Sequence, residues 1–122
     1  MTTVYLAGPR GETPLKPWRE RLIQTQVDVD WINPFEIHSS DASGEDIYRG
    51  DLKAVEDADA MLLYYTEAVE ICGAYIEAGH AGAAGVPTVV WNDTRTDLPE
   101  FLRWHAKAVC ETLEAAAQEV SK

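Results

Sequence analysis

A chain of 122 residues is long enough to bury a core of its own as a single domain, residues 1–122, without disulfide or metal staples. Its formal net charge of −11 argues against DNA or RNA as partners, because displacing counterions from phosphates needs clustered Lys and Arg. No apolar run reaches the roughly 18 residues that span a bilayer, and the start lacks a basic leader, so a cytoplasmic protein without membrane contact is expected.

Element types alternate along the chain. Residues 2–7 form a short apolar run ending in Gly8-Pro9, a strand followed by a turn. Residues 17–25 predict a helix with Pro17 in its first turn and Trp18 and Leu22 on its apolar stripe. A second strand over 27–32 closes at Asn33-Pro34. After a polar loop, Ser43 is placed to cap a helix over 45–58, with Tyr48, Leu52 and Val55 as its core stripe. Residues 60–65 are continuously apolar, as in a central parallel strand covered on both faces. A helix over 73–84 ends at Gly85-Val-Pro87, and a fourth strand occupies 88–91. The periodicity of Leu102, Val109, Leu113, Ala116 and Val120 predicts one long helix over 98–120, with Phe101, Trp104 and Ala108 as a second apolar patch. That patch is either more core or a face for another subunit.

Strand–helix alternation of this kind predicts an α/β fold, a flavodoxin-like or Rossmann-like three-layer sandwich with a parallel sheet of four or five strands. Ligands in such folds bind beyond the carboxyl ends of the strands, near the reversal of strand order. Gly8-Pro9-Arg10-Gly11, Glu70–Gly73 and Asn92-Asp93 all fall at that end.

Glu77 is the most informative residue. At about 100° per residue, Gly73, Ala74, Ala81 and Ala84 share its side of the helix, a small-residue face suited to close packing on a sheet. Glu77 should therefore point inward, near the helix N-terminus where free N–H groups favour an anion. A partly buried, ionised carboxylate in that setting is a candidate nucleophile. Asp51 borders the apolar stripe of its helix, where it is either a solvated acid or a second functional carboxylate. Tyr5, in the first strand, is core filling or a hydroxyl in need of a partner. The turn at Gly8 is neither GxGxxG nor a Walker loop, yet Gly8 lets a ligand approach the backbone. Arg10 is a surface residue of that turn or a cation for a 5′-phosphate. The two cysteines, Cys72 and Cys110, and the three scattered histidines give no disulfide framework and no zinc spacing.

Tyr5-Leu-Ala-Gly-Pro9, Asp51-Leu-Lys-Ala-Val-Glu-Asp-Ala-Asp59, Gly73-Ala-Tyr-Ile-Glu77-Ala-Gly-His-Ala81 and Gly85-Val-Pro87, in that order, resemble the nucleoside 2-deoxyribosyltransferase family over residues 4–91. The resemblance implies that Glu77 is the covalent nucleophile, that Asp51 lies beside the leaving base, and that Tyr5 hydrogen-bonds the nucleophile. It places Gly8, Pro9, Arg10, Ile71, Gly73 and Asn92 around the substrate. Many transferases of the family carry an Asp two residues before the first glycine of the Glu motif, to grip the base. Members that hydrolyse deoxynucleoside monophosphates tend to carry a Ser there, on the phosphate. Ile71 matches neither. An Asn that often completes a neighbour's pocket is missing from residues 96–101, leaving Asn92 as the substitute.

The implied activity is exchange or cleavage of the N-glycosidic bond of a 2′-deoxynucleoside, through a deoxyribosyl ester and with no metal or organic cofactor. Its partners are nucleosides or nucleotides and free nucleobases, and a homo-oligomer, a dimer or higher, with shared active sites is implied. The alternatives are a nucleoside or deoxynucleoside 5′-monophosphate N-glycosidase and a nucleotide-binding sensor that has lost turnover.

Overall fold

The computed structural model describes residues 2–9, 17–25, 27–66 and 71–122. Its centre is a sheet of five parallel strands in the order β2-β1-β3-β4-β5. These are β1 (Thr2–Ala7), β2 (Val29–Ile32), β3 (Ala60–Tyr65), β4 (Thr88–Asn92) and β5 (Ala108–Cys110). Helices α1 (Trp18–Ile23), α2 (Gly44–Asp57), α3 (Cys72–Ala83), α4 (Glu100–His105) and α5 (Leu113–Val120) cover its two faces. The strand order reverses between β1 and β3, so a crevice is expected at their carboxyl ends.

Period-two alternation divides the core. Tyr5, Ala7, Met61, Leu63, Tyr65 and Val90 face α2, α3 and α4, where they meet Val55, Ala74, Ala78, Ala81 and Leu102. Val4, Leu6, Leu62, Tyr64, Val89 and Trp91 face α1 and α5, meeting Trp18, Leu22, Leu113, Ala116 and Val120. Every residue of β3 is buried, which explains its uninterrupted apolar run. On the second face Tyr64 stacks on Trp91 with ring centroids 4.0 Å apart, and Trp18 tilts against Tyr64 at 5.2 Å. That packing dictates Gly8: its φ is +152°, and a Cβ there would lie 2.9 Å from the Trp18 ring and 3.1 Å from Tyr64 Cβ.

Helix α2 begins with a reciprocal cap. Ser43 Oγ accepts from Asp46 N at 3.1 Å, while Asp46 Oδ2 accepts from Ser43 N at 3.3 Å. Of the expected stripe on this helix, Val55 is fully buried and Leu52 partly buried, but Tyr48 is 53% exposed. Helix α2 meets the core through its last turns, at Val55, Ala54 and Ala58, and Tyr48 lies two turns earlier.

The long helix expected over 98–120 is three elements, α4, β5 and α5. The open edge of β4 breaks it: Thr88 O accepts from Lys107 N at 2.8 Å, and the Thr88 hydroxyl bonds His105 Nε2 at 3.0 Å. The chain then pairs along β4 through Val109, and Thr112 caps a fresh helix by accepting from Ala115 N. Leu102 and Leu113, one stripe in the periodic reading, bury themselves on opposite faces of the sheet. Ala108 leaves the expected patch for β5, while Phe101 and Trp104 stay 91% and 74% exposed.

Candidate active site

Helices α2 and α3 each carry a carboxylate at the margin of the face they bury, and both lean over β1. The packed face of α3 is Ala74, Ala78 and Ala81, whereas Gly73 and Ala84 are exposed. Glu77 is thus at the edge of the small-residue face rather than at its centre. It is also the sixth residue of α3, counting from Cys72, one turn past the free N–H groups expected to hold an anion.

What Glu77 meets instead is Tyr5. The fully buried Tyr5 side chain donates its hydroxyl to Glu77 Oε2 at 2.5 Å. Burial pushes the Glu77 carboxyl up to about 7, and the nearby Asp51 charge pushes the same way. The Tyr5 hydroxyl and the Arg19 guanidinium oppose the rise without cancelling it. Burial and the Glu77 charge hold the Tyr5 phenol well above its ordinary range, so Tyr5 stays a donor. Glu77 is therefore poised between its two forms near neutrality, not the permanently ionised group that an N-terminal position implies. Tyr5→Phe should raise the Glu77 midpoint by about one unit, the worth of a hydrogen bond to a carboxylate, as read by carbon NMR of the labelled carboxyl. An unmoved midpoint would show that the hydroxyl does not bond the charged form.

Asp51 is partly buried on α2, and His38 Nε2 lies 2.6 Å from its Oδ1. Arg19 is buried, and its guanidinium carbon lies 4.3 Å from the Trp18 ring centroid and 4.6 Å from that of Phe35. It donates to Pro9 O at 3.1 Å and to Gly8 O at 3.4 Å, tying the turn after β1 to α1. Nothing in the local pattern separates Arg19 from its exposed neighbour Arg21. For His38 the trace in the sequence is Gly50, a glycine inside a helix, whose link to the imidazole only the fold reveals.

Tyr5, Asp51 and Glu77 are thus brought together, with Gly8 and Pro9 joined to them through Arg19. Ile71 is buried in the same apolar cluster as Tyr5 and offers no polar group. Gly73 is exposed with open space where a Cβ would stand. Asn92 is buried at the end of β4, where its amide donates to Thr96 O at 2.7 Å and accepts from Thr94 N at 3.0 Å. Its side chain fastens the turn after β4. Arg10 lies outside the described residues. Among the described residues, no three His, Cys, Asp or Glu side chains cluster as metal ligands, and no helix is long and apolar enough to cross a membrane.

The family model for nucleoside 2-deoxyribosyltransferases matches residues 4–118. The chain belongs to the nucleoside 2-deoxyribosyltransferase family. As a member of it, the protein is an enzyme acting on N-glycosyl bonds. Solved structures agree at the level of the fold. A 2-deoxyribosyltransferase from Bacillus psychrosaccharolyticus superposes with a TM-score of 0.82 at 17% identity, covering 95% of this chain and 90% of that one. A CMP N-glycosidase from Clostridium botulinum gives 0.68 at 16% identity over 99% and 100% of the two chains. A 2-deoxyribosyltransferase from Leishmania mexicana gives 0.69 at 17%, covering 99% of this chain and 97% of that one. No curated protein matches the chain. Both reactions occur on this fold, so the family alone does not choose between transfer and hydrolysis.

Proposed function

We propose that residues 1–122 act as one catalytic domain that exchanges the base of 2′-deoxynucleosides through a covalent ester on Glu77. The observation that carries this reading is the part-buried Tyr5–Glu77 hydrogen bond beside a second carboxylate, Asp51. Ionised Glu77 attacks C1′ with one oxygen while Tyr5 holds the other. The C1′–N bond breaks, its electron pair leaves with the base, and a proton from Asp51 neutralises the base. An incoming base then attacks C1′, expels the Glu77 carboxylate and returns a proton to Asp51. Two displacements retain the configuration, as in glycosidases with two close carboxylates.

Transfer is favoured over hydrolysis because Ile71 brings no hydroxyl or charge to the entry of α3, where a phosphate would need one. Hydrolysis of a nucleoside or deoxynucleoside 5′-monophosphate is the second reading, and Arg10 would be the cation that supports it. A nucleotide-binding sensor remains the outcome if nothing turns over. Chromatography after incubation with each 2′-deoxynucleoside and 5′-monophosphate, with and without a second free base, separates these. A new deoxynucleoside only when the acceptor is present means transfer, whereas free base without an acceptor means hydrolysis.

A cytoplasmic homo-oligomer, a dimer or higher with shared active sites, belongs to the same reading. Supporting it, Phe101 and Trp104 line an apolar groove of about 770 Å³ between α3 and α4, together with Tyr75 and Leu102. Phe101→Glu combined with Trp104→Glu should lower the mass seen in sedimentation by at least half. A wild-type protein that sediments as a monomer would remove the proposal.

A further inference from the structure

His38 lies just after the 3₁₀ turn Pro34–Glu36, thirteen residues before Asp51, and the two side chains are 16% and 18% exposed. At that depth a carboxylate oxygen needs a donor, which the imidazole supplies to Oδ1 across 2.6 Å. A second observation concerns the residue next to Asp51. Glycine inside a helix is unfavourable relative to alanine, yet Gly50 sits in the middle of the fourteen-residue α2. A Cβ at position 50 would stand 2.6 Å from His38 Cε1 and 3.3 Å from Nδ1. Helix α2 therefore omits a side chain where the imidazole must lie to reach Asp51.

We propose that His38 is a positioning residue for Asp51. It fixes Oδ1 so that Oδ2 is the oxygen presented to the departing base, a role that rests on Asp51 acting on the base as described above. Gly50 is the space that makes this contact possible. His38 moves no proton of the substrate itself.

The test compares kcat, KM and Tm for wild type, His38→Ala, His38→Gln, Gly50→Ala and the double variant His38→Ala/Gly50→Ala, on a 2′-deoxynucleoside that the wild type consumes. His38→Ala should lower kcat about ten- to hundredfold, the scale of a misaimed catalytic group, and change KM less than about threefold. His38→Gln places an amide N–H near the position of Nε2 and should recover most of the loss. Gly50→Ala should lower kcat similarly while Tm holds or rises, and should add nothing when His38 is already Ala. A His38→Ala kcat within twofold of wild type overturns the role. So does a Gly50→Ala enzyme with wild-type kcat, or losses of kcat that simply follow losses of Tm. Failure of the underlying N-glycosidic reading looks different: there the wild type itself consumes no substrate.

Discussion

Glu77→Gln should lower kcat by at least about 10³-fold and at the same time make the folded protein more stable at pH 8. The first effect follows from removing the attacking oxyanion while keeping the size of the side chain and an acceptor for Tyr5. The second follows from linkage. A carboxyl raised from its ordinary 4.5 to about 7 in the folded chain holds its proton more tightly there than when unfolded. The stability it contributes is complete below about 4.5, falls as pH rises through about 7, and is constant above. Two and a half pKa units correspond to about 3 kcal/mol, which solvent screening of this partly exposed group reduces to about 1–2 kcal/mol. The neutral amide escapes that cost, so the variant should melt roughly 5 °C higher at pH 8 and at the wild-type temperature near pH 4. An enzyme inactive because it is misfolded would melt lower at both. Near-normal turnover by a well-folded variant would sink the covalent mechanism.

Much of this site is legible in the amino-acid sequence, for local reasons. The apolar run of β3 and the Ser43 cap depend on near neighbours, and both appear where the pattern puts them. Glu77 stands out because small residues surround it within one helix. The larger errors share one cause, contacts made far along the chain. The free edge of β4 recruits Val109 and breaks a helical stripe that is locally consistent. Glu77 owes its environment to Tyr5, 72 residues away, more than to its own helix end. Arg19 is held by Trp18, Phe35 and the carbonyls after β1, a set that only the fold assembles. His38 reaches Asp51 across a loop, and its trace in the sequence is an absence, the missing side chain at Gly50.

Asp51→Asn should slow base departure about 10²- to 10⁴-fold, the usual loss when a general acid is removed, while leaving the pair with His38 intact through the amide oxygen. The loss should depend on the leaving group. A purine deoxynucleoside alkylated at N7 leaves as a neutral base without needing a proton, so the deficit on it should nearly vanish. A deficit equal on ordinary and alkylated substrates would mean that Asp51 orients the base instead of protonating it. The same substitution acts on Glu77 in the opposite sense. Asp51 is one of the causes that raise the Glu77 carboxyl, so its neutralisation should move the pH midpoint of activity below about 7. A slower enzyme whose active range extends further into acid is hard to obtain by loosening a fold. It requires that Asp51 serve the base when protonated and press on the nucleophile when ionised, as two carboxylates leaning over one strand would.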